Sequence, residues 1–259
     1  MVAALRAAGC VFAEDEAELL LAAARTPAAL AAMVARRAAG HPLEHVVGWA
    51  EFGGLRVAVD EGVFVPRRRT EFLVEQAAAL APRGARPVVV DLCCGTGALG
   101  AALVTALDGA AELHAADIDP AAVRCARRNV APLGGRVHEG DLFAALPSAL
   151  RGRVDVLLAN VPYVPTAEVA LLPAEARLHE ALVALDGGAD GLDVLRRVAA
   201  RAEHWLAPGG SLLFETSGAQ APAAVRIAEG SGGLAARTAT CDDRYATVVI
   251  ATRPRPRPS

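Results

Sequence analysis

The 259-residue chain contains no lysine, so arginine supplies the basic side chains apart from histidine. Aromatic residues make up only 4% of the chain, and its formal net charge is −3. A protein that binds nucleic acid mainly through the phosphates needs a surplus of positive charge, which this chain does not have. We therefore expect no stable binding of nucleic acid.

Cysteine is also scarce, since the chain has five, an odd number that does not indicate a set of disulfides. Cys93 and Cys94 are adjacent, which is not the spacing of a zinc knuckle or a redox pair. No cluster of His and Cys in the sequence has metal-ligand spacing. The sequence therefore predicts that the protein holds no metal ion.

Long apolar runs are missing as well. The longest runs are too short to span a bilayer and have arginine close by. The N-terminal run contains Arg6 and leads into acidic residues from Glu14, which is wrong for a signal peptide. We expect a cytoplasmic protein that makes no contact with a membrane and acts as a monomer.

Hydrophobic residues make up 54% of the chain, which is enough for a packed globular core. Residues 1–40 are rich in Ala and Leu, and Thr26-Pro27 has the form of a helix N-cap followed by proline in the first turn. Gly53-Gly54 leads into an alternating segment, which predicts a β-hairpin. We therefore expect a small helical N-terminal domain (1–40), a β-hairpin linker (41–66), a main domain (67–253) and a disordered tail (254–259).

From Pro87 onward, short apolar strands alternate with helical segments, the pattern of an α/β protein with a doubly wound, mostly parallel sheet. Two β-rich runs near the C-terminus predict an antiparallel hairpin that completes a sheet of seven strands. Pro208-Gly209-Gly210 predicts a turn between the last helix and its strand. The predicted strands are Val88–Leu92, Glu112–Asp117, 136–138, 155–159, 211–216, 234–240 and 245–252, and the predicted helices between them are 98–107, Pro120–Val130 and 192–206.

A glycine loop begins at the end of the first of these strands, with the sequence Asp-Leu-Cys-Cys-Gly-Thr-Gly over residues 91–97. Gly95 and Gly97 allow a tight turn and a close approach of a ligand to backbone N–H groups. We include Cys93 and Thr96 among the expected cofactor contacts. Nicotinamide and flavin proteins use glycine loops too, but the spacing here is not the G-x-G-x-x-G pattern that holds a pyrophosphate.

Acidic residues follow three successive predicted strands, at the edge where such sheets bind ligands. Asp91 would accept from the ammonium of a methionine moiety, Asp117 from both ribose hydroxyls of adenosine, and Asp141 from an adenine amino group. Ile118 and Leu142 are expected to contact the same ligand. Each aspartate alone would serve equally well as a helix N-cap or turn former, but their joint placement predicts a site for S-adenosylmethionine.

Asn160-Val161-Pro162-Tyr163 follows the apolar run 154–159. Asn160 Oδ1 and the Val161 carbonyl oxygen can each accept one N–H of a substrate NH2 group, which fixes its plane and favours the positive charge that grows on nitrogen. Pro162 would make the carbonyl positions rigid, and Tyr163 would stack on the flat group or touch the sulfonium. A plain strand-ending turn is the simpler explanation of the tetrapeptide, and the neighbouring cofactor loop favours catalysis of N-methylation by all four residues.

These motifs resemble those of the glutamine methyltransferases of peptide-chain release factors (the PrmC/HemK family) over nearly the whole chain. Asn160 to Tyr163 is similar to the family's Asn-Pro-Pro-Tyr, residues 91–97 to its glycine loop, and Asp117 to its ribose acid. The resemblance implies a class I S-adenosylmethionine-dependent methyltransferase fold for residues 67–253. It also implies methyl transfer to the side-chain amide of a protein glutamine, with a release factor as the protein substrate. Further segments match in order at 40–48, 51–52, 66–67, 70–71, 177–180, 184–192 and 243–244.

The chain departs from the family pattern in several places, which include Cys93 in place of the first loop glycine and Leu142 where the family often has an aromatic residue. Val161 replaces a proline but keeps its carbonyl, and Arg68-Arg69 replaces a proline-acid pair. The helical N-terminal part is shorter than the family's, which implies a divergent, paralogous branch. Arg67, Thr70 and Glu71 belong to the matching linker, and we expect them to form the substrate entrance.

Three other functions stay open at this point. The acceptor could be a small-molecule or nucleobase amine, because the Asn tetrapeptide is shared with adenine and other amino methyltransferases. The chain could instead be an NAD-binding oxidoreductase, although no positioned Lys, Tyr-Lys pair or His favours hydride transfer. It could also be a non-catalytic module that has kept the cofactor fold.

Overall fold

The computed structural model describes residues 1–82, 84, 86–230 and 232–256. Its strands are β1 (Trp49–Phe52), β2 (Leu55–Ala58), β3 (Val88–Leu92), β4 (Glu112–Asp117), β5 (Arg136–Glu139), β6 (Val154–Ala159), β7 (Leu206–Thr216), β8 (Ala235–Cys241) and β9 (Ala246–Thr252). Its α-helices are α1 (Val2–Ala7), α2 (Ala13–Ala23), α3 (Pro27–Ala38), α4 (Leu43–Val47), α5 (Glu71–Leu80), α6 (Ala98–Ala106), α7 (Pro120–Val130), α8 (Ala174–His179), α9 (Asp193–Trp205) and α10 (Ala221–Gly230).

Seven strands form one sheet in the order β5-β4-β3-β6-β7-β9-β8. The neighbours from β5 to β7 pair in parallel, and β9 pairs antiparallel with both β7 and β8. The chain moves outward from β3 to β5 and then returns to place β6 on the other side of β3. Ligands bind at the carboxyl ends of strands where the strand order reverses, so this topology puts the candidate site between β3 and β6. The predicted fold class is confirmed.

Both faces of the sheet are covered, as the continuous apolar sequence of β3 requires. Val89 belongs to a core formed with α5, α6, α7 and the β1–β2 hairpin. Val88 and Val90 point into a second core formed with α9 and α10. This alternation follows from the period of two along a strand and leaves the strand ends free to carry polar residues.

The predicted turn at residues 208–210 is wrong, because the structure continues β7 through it. Val154 and Val156 of β6 pair with Leu206 and Ser211 of β7, so the extra residues of β7 form a bulge. The backbone there is held by Arg253, whose N–H donates to the Gly210 carbonyl. Helix α10 was not predicted. Of the tail that was predicted to be disordered, residues 257–259 lie outside the described residues.

The N-terminal helices surround a small core of their own, which includes Leu5, Leu20 and Val46. Thr26 Oγ1 accepts a hydrogen bond of 3.1 Å from the Ala29 N–H, so the predicted N-cap is confirmed. No helix among the described residues is long and apolar enough to cross a bilayer.

A segment of residues 165–185, here called the roof, connects β6 with the loop that leads to α9. It contains α8 between two short 3-10 helices, Thr166–Leu171 and Leu182–Ala184. Arg37 of α3 contacts it by an ion pair of 2.6 Å with Glu175, and the same guanidinium pairs with Glu16 of α2 at 2.6 Å. The N-terminal helices therefore hold the roof over the carboxyl edge of the sheet.

Candidate active site

A cavity of about 440 Å³ lies at the carboxyl ends of β3, β4 and β6. Its floor is formed by the glycine loop, and one wall by the residues that follow β4 and β6. The roof and the segment before α5 close the opposite side. The lining includes Val63, Phe64, Pro66, Arg67, Arg69, Cys93, Cys94, Gly95, Thr96, Asp117, Ile118, Asn160, Val161, Pro162, Tyr163, Leu172, Glu180, Val183 and Leu185.

The glycine loop needs glycine at two positions. Gly95 and Gly97 both have positive φ, at +53° and +75°, which strains any other residue. A Cβ on Gly97 would also lie 2.7 Å from Val130 Cγ2 of α7, so the turn could not pack against that helix. Cys93 adopts a φ of 53° as well, which curls the chain around the cavity floor.

Asp117 at the end of β4 is fixed by two backbone donors. Its Oδ2 accepts from the Gly95 N–H at 2.8 Å and its Oδ1 accepts from the Asp119 N–H at 2.9 Å. Burial raises the pKa of this carboxyl. The carboxylate lines the cavity next to Ile118, and each oxygen keeps a lone pair for a ligand hydroxyl.

Asp91 lies beneath the cavity and does not line it. It is 0% exposed, and its Oδ2 accepts from the Gly100 N–H in the first turn of α6 at 2.9 Å. Its Oδ1 is buried and has no hydrogen-bond partner among the residues that the structure describes. Burial, with Asp117 nearby, raises the pKa of Asp91 to about 7. A direct contact with a cofactor ammonium stays a prediction, and the observed hydrogen bond is with the first turn of α6.

Asp141 and Leu142 also lie outside the cavity lining. The Asp141 carboxylate pairs with Arg197 of α9 instead of facing the cavity. Leu142 packs at the edge of the second core and has a φ of 47°. Their predicted contacts with an adenine ring are therefore without support from the observed geometry and stay predictions.

The raised pKa of Asp91 predicts a pH dependence of stability. In the unfolded chain this carboxyl titrates near its ordinary pKa of 3.8, whereas the folded value is about 7, so the folded protein holds a proton that the unfolded chain loses. The free energy of unfolding should therefore fall between about pH 4 and pH 7, by up to about 4 kcal/mol from this group. Urea unfolding at pH 5 and pH 8 measures the part of this decrease that falls above pH 5, which is about 3 kcal/mol.

The matched variant for that measurement is Asp91→Asn, which keeps an oxygen for the Gly100 N–H but cannot ionise. Its free energy of unfolding should depend less on pH than that of the unchanged protein over the same range. An equal dependence in both proteins would show that the Asp91 carboxyl does not cause it.

Asn160 is placed by a loop that is clamped on several sides. The Tyr163 carbonyl accepts from Gln220 Nε2 at 2.9 Å, and the Val164 carbonyl accepts from the Gly187 N–H at 2.8 Å. A Cβ on Gly187 would lie 2.7 Å from the Pro162 carbonyl oxygen, so the clamp requires glycine there. Within this rigid turn, Asn160 Oδ1 is buried and has no hydrogen-bond partner in the described part of the chain.

A buried amide oxygen without a hydrogen-bond donor costs folding free energy, and the N–H of a ligand would supply the missing hydrogen bond. Asn160 lines the same cavity as Asp117 and the glycine loop. The site can therefore take a ligand with hydroxyl groups on one side and a ligand NH2 group on the other. S-adenosylmethionine fits the first part, because its ribose offers two hydroxyls to Asp117.

Tyr163 is oriented by residues distant in sequence. Its hydroxyl donates to Glu215 Oε1 at 2.7 Å and accepts from the Arg69 guanidinium at 2.7 Å. Burial, with Glu215 beside it, raises the pKa of Tyr163, so the phenol stays protonated. Glu215 at the end of β7 is only 3% exposed and also accepts from Thr70 Oγ1 at 2.6 Å.

Of the residues predicted at the substrate entrance, Arg67 lines the cavity and the other two do not. Thr70 is 1% exposed, because its hydroxyl is turned inward to Glu215. Glu71 accepts from the Gly53 N–H at 3.0 Å and so holds the turn of the β1–β2 hairpin. Arg69, which was not among the predicted site residues, takes their place on the cavity wall.

Arg67 is not free to bind an anion, since its guanidinium pairs with both oxygens of Glu180 at 2.7 Å. Glu180 belongs to the segment 177–180 that matches the family pattern, so its position was marked in the sequence. Glu215 lies outside the matched segments; its place at a strand end suggested a residue of the acceptor pocket, but it does not line the cavity, and its partners are side chains more than 50 residues earlier in the chain.

Comparison with known proteins agrees with the geometry. Residues 54–190 match the family model of the methyltransferase small domain. A release factor glutamine methyltransferase from Geobacter sulfurreducens is 38% identical over 217 residues, which are 83% of this chain and 72% of that protein. A 4-amino-L-phenylalanine/4-methylamino-L-phenylalanine methyltransferase from Streptomyces pristinaespiralis is 38% identical over 224 residues, which are 83% of this chain and 75% of that protein.

Among solved structures, a T. thermophilus 16S rRNA N2 methyltransferase in complex with AdoMet and guanosine is similar, with a TM-score of 0.56. The sequences are 21% identical, and the match covers 79% of this chain and 49% of that chain. A likeness at this identity shows the fold alone.

Proposed function

We propose that this chain, which belongs to the family of release factor glutamine methyltransferases, methylates the side-chain amide nitrogen of a glutamine in a release factor. The observation that carries the proposal is the buried Asn160 Oδ1, which has no partner among the described residues and belongs to a side chain that lines the same cavity as the glycine loop. Membership of this family also excludes the NAD-binding oxidoreductase alternative.

The cofactor would be held by the floor and the β4 side of the cavity. Asp117 would accept the ribose hydroxyls, and the loop Cys93 to Gly97 would lie under the methionine part, with Thr96 and Gly95 in contact. Ile118 would cover one face of the adenosine, while Asp141 and Leu142 would need a shift of their loop to take part. When bound, S-adenosylmethionine supplies an electrophilic methyl group.

The acceptor would be held by the turn after β6. Asn160 Oδ1 and the Val161 carbonyl oxygen would accept the two N–H groups of the glutamine amide and fix its plane. This orientation matters because an amide nitrogen is a poor nucleophile. Correct orientation can lower the activation free energy by about 7–11 kcal/mol. The same two oxygens stabilise the positive charge that grows on nitrogen.

Pro162 and Tyr163 would complete the acceptor site in supporting roles. Pro162 restricts the backbone that carries the Val161 carbonyl. Tyr163, held by Glu215 and Arg69, would present its ring to the flat amide at a fixed angle. No side chain is needed as a general base, because the proton can leave to water after transfer.

Incubation with S-adenosylmethionine labelled in its methyl group tests the proposal. The acceptors are a release factor and the same release factor with its methylated glutamine replaced by alanine. We expect one labelled methyl per intact release factor and none in the alanine variant, with mass spectrometry placing the label on glutamine. Absence of label from the intact release factor, under conditions in which the cofactor binds, would contradict the proposal.

A second candidate is methylation of an aromatic amine on a free amino acid. It is favoured by the similarity to the Streptomyces pristinaespiralis enzyme and by Arg69, a cation on the cavity wall that could meet a carboxylate. The observed pairing of Arg69 with Glu215 at 2.9 Å counts against it, since the charge is already balanced. Label in 4-amino-L-phenylalanine but not in a release factor would favour this candidate.

A further inference from the structure

The roof carries an unusual share of the apolar surface. Of the eleven large hydrophobic side chains that are exposed among the described residues, four lie within this segment of residues 165–185. They are Leu171, Leu178, Leu182 and Val183, which are 81%, 63%, 60% and 52% exposed. These four side chains lie within 13 residues of sequence, and large exposed apolar patches on a protein surface often mark interaction sites.

This surface continues into the candidate active site. Val183 is both exposed and part of the cavity lining, and Leu172 and Leu185 of the same segment line the cavity from the inside. Ile118, which is 51% exposed, lines the cavity next to Asp117. A chain that reaches the cavity across the roof would therefore lay its neighbouring residues against apolar groups.

The roof is a fixed surface because it is anchored on the side that faces the protein. Arg37 is only 8% exposed and ties Glu175 to the N-terminal helices. Glu180 is buried at 7% exposure and pairs with Arg67, and the Ala181 N–H donates to the Gly62 carbonyl at 3.1 Å. A surface that is already ordered loses little conformational entropy when a partner binds.

The charge of the roof also indicates the chemistry of its partner. Its outward ionic side chains include Glu168 and Arg177, which are of opposite sign. The carboxylates of Glu175 and Glu180 are paired with arginines. This surface therefore has no charge of one sign to attract an acidic or a basic segment, and it favours an uncharged, apolar one.

We propose that the outer face of the roof is the docking surface for the protein substrate, and that it binds an uncharged, apolar stretch of chain adjacent to the methylated glutamine. The proposal rests on the proposed function, because it takes the acceptor to be a glutamine within a polypeptide. Leu171, Leu178 and Leu182 bind the flanking chain, while Asn160 and its neighbours hold the amide. The roof thereby selects a protein substrate over a free amide or amine.

The test is the triple variant Leu171→Ser, Leu178→Ser and Leu182→Ser, none of which lines the cavity. With a release factor as acceptor, we expect KM for the protein to rise about 10- to 100-fold, as loss of several central apolar contacts does at interfaces. The value of kcat at saturating protein, the dissociation constant of S-adenosylmethionine and the thermal midpoint should change little. The matched control is Leu80→Ser with Tyr245→Ser, which removes exposed apolar side chains from α5 and from the turn between β8 and β9.

The outcomes separate the two proposals. An unchanged KM in the roof variant, or an equal rise in the control, would overturn the docking surface while leaving the methyltransferase function in place. A wild-type protein that binds S-adenosylmethionine but methylates no release factor would overturn the proposed function and the docking surface with it.

Discussion

Replacing Asn160 with alanine should lower kcat by about 100- to 1000-fold, the range found when one preorganised group that stabilises transition-state charge is removed. The affinity for S-adenosylmethionine should stay within about threefold, since such contacts to the reacting group act mainly in the transition state. The cause is loss of Oδ1, which is buried and has no partner in the described structure. Single-turnover kinetics and calorimetry measure the two quantities separately.

The control for this variant is Thr166→Ala, which shortens an exposed polar side chain a few residues further along the same connection. Its hydroxyl donates to Asp186 at 2.7 Å and does not face the cavity. We expect less than a twofold change in kcat, as for most surface substitutions. A turnover of Asn160→Ala equal to that of Thr166→Ala would remove Asn160 from the acceptor site.

Replacing Asp117 with alanine should weaken the binding of S-adenosylmethionine by about 100-fold or more. Two hydrogen bonds to a charged acceptor contribute about 1.5–3 kcal/mol each, and 1.4 kcal/mol corresponds to a factor of ten. The loss includes an indirect part, since the Asp117 carboxylate also holds the Gly95 N–H of the glycine loop. Asp117→Asn, which keeps one oxygen acceptor, should lie between the alanine variant and the unchanged protein. Calorimetric titration with the cofactor gives the dissociation constants.

A neighbouring acid distinguishes this contact from a general effect of charge. Asp119 lies on the same rim, and its Oδ1 accepts from the Ala121 N–H at the start of α7. Asp119→Asn removes one negative charge but keeps the helix cap, because Asn is equally good there. Its cofactor affinity should change by less than about threefold. If Asp117→Ala bound the cofactor as tightly as Asp119→Asn does, the predicted hydrogen bonds between Asp117 and the ribose hydroxyls would be wrong.

The sequence predicted the parts of the site that depend on local chemistry. Strand ends were visible as apolar runs followed by Asp91, Asp117 and Asn160, and β3 and β4 have the predicted bounds. The glycine loop could be recognised in the sequence because its backbone adopts a positive φ at Gly95 and Gly97, which favours glycine at both positions. Such signals depend on a few neighbouring residues, which is why they can be read without a structure.

The contacts that orient the site could not be predicted in the same way. Glu215 of β7 holds Tyr163 in the loop after the neighbouring strand β6, and Arg37 joins the N-terminal helices to the roof across more than 100 residues of sequence. Thr70 was expected at the entrance because its position matched a motif, but its hydroxyl is buried against Glu215. Tertiary pairing of polar side chains leaves no period or spacing in the sequence.

The bulge in β7 has a similar origin. Pro208 and the two glycines after it are typical of a turn, yet Gly209 and Gly210 form hydrogen bonds with Arg253 beyond the end of β9. The antiparallel neighbour therefore keeps these residues within the strand. A partner strand more than 40 residues later in the chain decides their structure, and local propensity does not reveal it.

In the proposed reaction, Asn160 holds the acceptor nitrogen beside the methyl group of the cofactor. A crystal structure with bound S-adenosylmethionine tests it most directly. The methyl carbon should approach the acceptor nitrogen to about 3–3.5 Å, and the hydrogen bond from that nitrogen to Asn160 Oδ1 should be about 2.9 Å long. The methyl carbon should therefore lie within about 6 Å of Asn160 Oδ1 and point toward it. A cofactor whose methyl group points away from the turn after β6, out of reach of any nitrogen held there, would contradict the claim.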